Sequence, residues 1–218
     1  AGLAEIEAGS RILDVGCGLG GSARYLATQF EAEVVGVDLT PGYVALARRL
    51  SRITACDDRT AFHQGSALDL PADDGSFDVV WLEHVQMNVS DKERLVSEVA
   101  RVLRAGGSLA FHEIFADGQE GPHFPVPWAD NPEASFLVEA EEFRDRLTDN
   151  DLDEEVWRDV TEESLGWFET ISERLAASGP PPLGLHLLMG EAAPSKLENV
   201  GRSLAEARIR VVQGVFSA

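Results

Sequence analysis

Short apolar runs alternate with amphipathic stretches along the chain, an alternation that predicts a parallel sheet with helices on both faces. RILDV (11–15) has strand length and ends at glycines, and SARYLATQF (22–30) follows it with helical spacing. AEVVGVDL (32–39) is a second strand, after which Thr40 caps a helix with Pro41 at its first position, PGYVALARRLS. TAFHQG (60–65) and FDVVWL (77–82) are the third and fourth strands. Ser90 and Glu93 stand in capping-box spacing and predict a helix through Leu103. Gly106 and Gly107 stop it before a fifth strand, SLAFHEIF (108–115).

Beyond that strand the pattern changes. The proline-rich stretch 117–132 has no periodicity and predicts a long loop, of the kind that is usually functional or disordered. EAEEFRDRL (139–147) is a helix and DEEVWRDVT (153–161) a sixth strand. Glu162 and Glu163 favour a helix start, and Leu165, Phe168, Ile171 and Leu175 give that helix an apolar face. Gly179 and Pro180 to Pro182 break it, a further helical stretch runs over about 184–206, and RIRVVQGVF (208–216) is the last strand. The segment between the last two strands is too long for a hairpin. It predicts a helical cap, residues 161–206, inserted into a single domain spanning 1–218.

Composition narrows the classes of function. With 218 residues, 44% hydrophobic and 26% charged, the chain has the make-up of a globular protein with a substantial core. No run is long and apolar enough for a membrane span, and no signal segment is visible. The chain begins at Ala1 with ten residues before the first strand, which points to an N-terminal piece outside this sequence. Thirty-eight acidic against 18 basic residues give a net charge of −20, a surface that repels nucleic acid and anionic lipid. Lys92 and Lys196 are the two lysines among arginines, a bias that fits either genome composition or salt adaptation. Cys17 and Cys56 make no disulfide framework, so reduced thiols and a cytoplasmic setting are expected.

Candidate chemistry begins at DVGCGLGG (14–21). Gly16, Gly18 and Gly21 satisfy G-x-G-x-x-G, which signals a dinucleotide pyrophosphate on a helix N-terminus. Asp14 argues against that ligand, because a carboxylate a few Å from a pyrophosphate repels it. S-adenosylmethionine (SAM) carries an ammonium and a sulfonium instead of phosphate, and an acid at the strand end suits both. Asp38 ends the second strand, where an acid accepts from both ribose hydroxyls. SAM is the ligand this pattern favours, and an NAD-dependent dehydrogenase is the disfavoured reading.

ILDVGCGLGGSARYLA, VVGVDLTPGY, GSALDLP, SFDVVWLEHVQM and LVSEVARVLRAGGSLAF, in that order, resemble the successive motifs of class I SAM-dependent methyltransferases. Within that family they resemble the small-molecule branch that includes sarcosine and dimethylglycine, tocopherol and sugar methyltransferases. The match is close over about residues 10–115 and one of arrangement beyond. The resemblance implies a Rossmann-like, doubly wound α/β sheet of seven strands, the last antiparallel. It implies that Asp14, Gly16, Cys17 and Gly18 hold the methionine end, Asp38 the ribose, and Leu39 the adenine face. Ser66 stands where the family usually has an Asp for the adenine amino group, which leaves the Ala67 backbone N–H to serve. Glu83 matches the family position lining the transfer channel.

Acceptor residues are sought beyond the carboxyl ends of strands four and five. Glu83, His84, Gln86, Met87 and Asn88 follow strand four, His112 and Glu113 close strand five, and His123, Phe124 and Trp128 lie in the long loop. Glu83, His84 and His112 are the catalytic candidates, His84 first, as base or acceptor clamp. The histidines and acids lack tight metal-ligand spacing, so no metal is expected. Cys17 lacks a paired base for a nucleophilic role. The expected activity is methyl transfer from SAM to a small organic acceptor, with an amine nitrogen favoured, releasing S-adenosylhomocysteine (SAH). O- or C-methylation of a hydroxylated natural product is the alternative, and a non-catalytic SAM-binding protein is the other class. A monomer and a homodimer are equally open.

Overall fold

Strand β1 (Arg11–Val15) forms where four consecutive residues, Ile12 to Val15, are buried from both sides, as a central parallel strand requires. In the computed structural model, which describes residues 4–118, 120–184 and 186–218, the chain then alternates strand and helix. The first half adds α1 (Gly21–Gln29), β2 (Glu33–Asp38), α2 (Pro41–Ile53), β3 (Thr60–Gln64), β4 (Phe77–Glu83), α3 (Lys92–Val102) and β5 (Leu103–Ala116). The second half adds α4 (Ala140–Asp149), β6 (Asp153–Asp159), α5 (Thr161–Ser178), α6 (His186–Met189), α7 (Ala193–Ala205) and β7 (Ile209–Ser217).

The sheet has seven strands in the order β3-β2-β1-β4-β5-β7-β6, with β7 antiparallel to both neighbours. Chain order reverses between β1 and β4, and in open α/β sheets ligands sit beyond the strand ends at that switch point. One face of the sheet packs Ile12, Val34 and Val79 against Ala23, Leu26 and Val44 of α1 and α2. The other packs Leu13, Val80 and Leu82 against Leu95 and Val99 of α3 and Phe143 and Leu147 of α4. A third apolar cluster joins Ile114, Val160 and Val211 to Val200 and Leu204 of α7, beneath the helices between β6 and β7.

Four local expectations need correction. Strand β5 starts at Leu103, directly after α3, so Gly106 and Gly107 lie within it instead of separating it from the helix. The helix predicted from a Ser90 capping box starts one residue later: Asp91 is the cap, its Oδ1 accepting from Arg94 N at 2.9 Å. Both residue types cap well, and the carboxylate is the one placed to reach the free N–H. The stretch about 184–206 is two helices, α6 and α7, parted by a 3-10 turn at Gly190–Ala192; Leu185 lies outside the described residues. The glycine turn uses Gly20 (φ 71°), the N-cap of α1, as its third left-handed residue, and Gly21 is helical. Apart from Gln119, which is outside the described residues, the stretch 117–131 contains neither helix nor strand.

Candidate functional site

At the end of β1 the chain turns because two glycines take conformations that side chains rarely adopt. Gly16 (φ 69°) donates its N–H to Val37 O at 2.7 Å, and a Cβ there would stand 2.7 Å from Val85 Cγ2. Gly18 (φ 52°) differs, because nothing lies within 4 Å of where its Cβ would be. Its N–H donates to Asp38 Oδ2 at 2.9 Å, while Asp38 Oδ1 accepts from Thr40 N at 2.8 Å. Asp38 therefore ties the glycine turn to the start of α2 and still faces the cavity described below.

Asp14 is 2% exposed, and its Oδ2 has no hydrogen-bond partner among the described residues. Burial, then the Glu83 charge, pushes its carboxyl up to about 8, with the Ala23 backbone opposing. Buried polar atoms without partners are rare and ask for an explanation. A carboxylate oxygen beside a glycine turn with open space above Gly18 fits a ligand that brings its own cation or N–H donors.

Across the switch point, Glu83 at the end of β4 is in register with His112 of β5, His112 with Gln213 of β7, and Gln213 with Arg158 of β6. Register partners share a face, so these four side chains form one polar row across four strands. Glu83 accepts from Ser22 Oγ at 2.6 Å and Trp81 Nε1 at 3.2 Å. Burial opposes its ionisation, but those two hydrogen bonds and the adjacent histidines hold it below the usual carboxylate range. The His84 and His112 rings meet edge to face with centroids 5.0 Å apart. Burial, then His112, pushes His84 down to about 4, against the pull of Glu83, and burial lowers His112 as well. Both imidazoles are neutral near pH 7. Gln213 Nε2 lies 3.1 Å from His112 Nδ1, and donation along that line leaves the His112 proton on Nε2.

His84 itself has φ 57°, and its N–H is held by His112 O at 3.0 Å. The 3-10 turn after it, Gln86–Asn88, is gripped at both ends by buried charge. Glu113 (0% exposed) accepts from Val85 N at 2.8 Å and Gln86 N at 3.3 Å; buried Lys92 donates to Gln86 O, Val89 O and Phe136 O. Burial pushes the Glu113 carboxyl up to about 8 and the Lys92 ammonium down to about 8, each moderated by the other.

A cavity of about 1250 Å³ runs past the glycine turn and the polar row, with Asp14 and Gly18 outside its lining. Its lining includes Gly16, Asp38, Leu39, Tyr43, Ser66 and Ala67 on one side, Glu83, His84, Met87 and His112 in the middle, and residues of α5 and α7 on the other.

Residues 13–111 match the family described as Methyltransferase domain. Over that stretch, a little under half of its length, the chain carries a methyltransferase domain. It is 36% identical over 125 residues to tocopherol O-methyltransferase, chloroplastic, of Arabidopsis thaliana, covering 56% of this chain and 35% of that protein. It is 32% identical over 162 residues to glycine/sarcosine/dimethylglycine N-methyltransferase of Actinopolyspora halophila, covering 74% of this chain and 29% of that one. The matched stretch thus spans less than half the length of these curated relatives. The fold is that of geranyl diphosphate C-methyltransferase from Streptomyces coelicolor A3(2), with a TM-score of 0.76 at 24% identity over 97% of this chain and 75% of the other. O-, N- and C-methyltransferases all stand among these similar proteins, so the family alone leaves the acceptor atom open.

Other candidates lie apart from the cavity. The Cys17 thiol is buried among Ala23, Val34 and Phe62, and burial beside Asp14 raises its pKa, which keeps it protonated. His123 pairs with Glu206 at 2.7 Å, and Phe124 packs in the third cluster. Trp128 does line the cavity, its Nε1 donating to Ser135 Oγ at 3.0 Å. Sequence reasoning missed Ser22, Tyr43, Arg158 and Gln213. Arg158 and Gln213 carried no local signal, since neither DEEVWRD nor IRVVQGVFS alternates polar with apolar residues. No group of three His, Cys, Asp or Glu among the described residues is placed to hold a metal ion, and no helix among them is long and apolar enough to cross a membrane.

Proposed function

We propose that the chain binds SAM across the ends of β1 and β2 and methylates a small molecule held between the sheet and helices α5–α7. The observation that carries this reading is the buried Asp14 carboxyl, one oxygen unpartnered, at the end of β1 just before the glycine turn that also binds Asp38. Asp14 takes the methionine end, directly or through water. Asp38 has lone pairs left for the ribose hydroxyls, and Leu39, 70% exposed at the cavity wall, takes the adenine face. The Ser66 hydroxyl oxygen accepts from Leu68 N at 3.1 Å, so the adenine edge falls to the Ala67 backbone. SAM bound here supplies a methyl group on a cationic sulfur that leaves as a neutral thioether.

The protein's own part is alignment, exclusion of water and removal of a proton. His84 is neutral near pH 7, sits between Glu83 and His112, and serves as the base. Glu83 stabilises the imidazolium that forms, and His112 orients the acceptor from its Nε2–H. With a neutral imidazole at the transfer point, a hydroxyl oxygen is a better acceptor than the amine nitrogen expected from the sequence. An amine stays the second reading, since Glu83 is an ionised carboxylate able to hold an ammonium. Residues 161–206 act as a cap over the acceptor within one 1–218 catalytic unit. Calorimetry with SAM on wild type and Asp38→Ala tests the cofactor half: a loss of about 1–3 kcal/mol is expected for hydrogen bonds to a charged group. Unchanged affinity would overturn the ribose assignment, and methyl-labelled SAM then separates enzyme from binder.

A further inference from the structure

We propose that the acceptor is an alcohol or phenol with a large apolar body, rather than a small amine or amino acid; this rests on the methyl-transfer reading above. Four observations converge on it. A cavity of about 1250 Å³ exceeds the ~300–1,000 Å³ of a pocket for one drug-sized ligand, so it accommodates the cofactor and an acceptor of comparable size. Beyond the transfer point its floor is Ile114 and Val211 of the sheet with Val160 just after β6, and its roof is Phe168, Leu197 and Val200 of α5 and α7. A small polar acceptor would leave those walls wet, whereas an apolar body dehydrates them.

On the sheet the polar groups keep to a single line. Glu83, His112, Gln213 and Arg158 follow one another across it by register, beside the hydrocarbon of Ile114 and Val211, and the further polar lining is carried by the turn and helices, at Asn88, Ser90, Ser164 and Lys196. Among the described residues, the two side-chain cations lining the cavity are already paired: Arg158 with Glu163 at 2.7 Å and Lys196 with Asp130 at 2.8 Å. A carboxylate-bearing acceptor such as an amino acid would meet no unpaired Lys or Arg among them. A hydroxyl needs none. Its oxygen attacks the methyl carbon, the carbon–sulfur pair leaves on sulfur, and the hydroxyl proton passes to His84.

The test uses 4-hexylphenol, phenol, sarcosine and ethanolamine as probes of SAH-saturated protein, with calorimetry for binding and labelled SAM for transfer. SAH binding is measured first: its absence would defeat the underlying reading whatever the phenols do. With SAH bound, 4-hexylphenol is expected to bind at least about tenfold more tightly than phenol, because its alkyl chain is buried. Leu197→Trp, which fills the roof, is expected to weaken 4-hexylphenol by about tenfold while SAH affinity stays at wild type. If that variant is misfolded by circular dichroism, Phe168→Ala replaces it and must weaken the same probe. Sarcosine or ethanolamine methylated as well as 4-hexylphenol would overturn the proposal. So would alkylphenol affinity equal to that of phenol, or insensitive to the roof variant.

Discussion

Helices α3 and α5 show two ways of using an apolar face. In α3, six of 11 residues are buried, and buried Glu98 and Lys92 are both hydrogen-bonded into the loops around it. In α5, 18 residues long, none is fully buried, and Trp167 is 54% exposed although it lines the cavity. The first helix spends its apolar residues on the sheet, and the second presents them to open space. A protein that must grip one ligand by fixed geometry and enclose another by contact needs both arrangements. On the proposed function, the cofactor half is preorganised and the acceptor half gains its missing contacts from the acceptor.

The largest effects should come from the fixed half. Gly18→Val places a side chain in the open space above the turn, and SAM affinity should drop beyond about 100-fold, the scale of excluding a ligand from a preorganised site. Its own strain, about 1–3 kcal/mol at a positive φ, should leave it folded. Gly16→Val behaves differently, because its Cβ already meets Val85 in the free protein. That variant should lose melting temperature as well as binding. Comparing the two by circular dichroism and calorimetry breaks the comparison if Gly18→Val still binds SAM at wild-type strength.

Next comes the junction of the halves. His84→Ala should lower kcat by about 10²–10⁴-fold, as expected for loss of a general base, with SAM affinity unchanged. A kcat within about threefold of wild type, far below general-base magnitudes, would remove His84 from the chemistry and pass the role to Glu83 or His112.

What could be read from the chain alone follows the same division. RILDV, FDVVWL and the acids at their ends announce themselves locally, since a buried parallel strand is a continuous apolar run and a strand-end carboxylate is a break in it. Glu83 and His112 were both visible as strand-end residues, but their being register partners is a matter of pairing between strands. Arg158 and Gln213 join the same row only because β7 runs back between β5 and β6, a long-range arrangement that no local pattern encodes. Glu113 looked like a second acid for the site, yet its carboxylate is consumed by Val85 N and Gln86 N. The acceptor wall is hardest to read, because Phe168 and Leu197 have the helical spacing of any core-facing residue.

A pH series sharpens the cofactor side further. The Asp14 carboxyl sits at about 8 in the free protein, against an ordinary value of 3.8, so at pH 7 it is mostly protonated. A cationic ligand requires the ionised form, and SAM binding should release a proton. Affinity should then strengthen about tenfold per pH unit between about 6 and 8, one pKa unit being about 1.4 kcal/mol. The free protein should move the other way: its unfolded chain binds fewer protons than the native state between about 4 and 8, so Asp14 makes stability fall as pH rises through that window. Asp14→Asn should flatten both trends. A pH-independent SAM affinity in the wild type would mean that Asp14 stays protonated under the ligand.

The smallest effect is the one that isolates the acceptor side. Leu95→Ala in α3 empties a fully buried position and should cost about 2–5 kcal/mol of stability. Trp167→Ala in α5 removes a larger side chain but one that is half in solvent, and the free protein should change by no more than about 0.5 kcal/mol. The same variant should show its loss only when the cavity is full. In wild type, amide exchange over residues 161–178 should slow when SAH and 4-hexylphenol are bound together, and SAH alone should protect mainly residues 12–40. Trp167→Ala should keep the second protection and weaken the first. If instead the substitution destabilises the free protein as much as Leu95→Ala does, α5 is packed before any acceptor arrives and the contrast between the two helices fails.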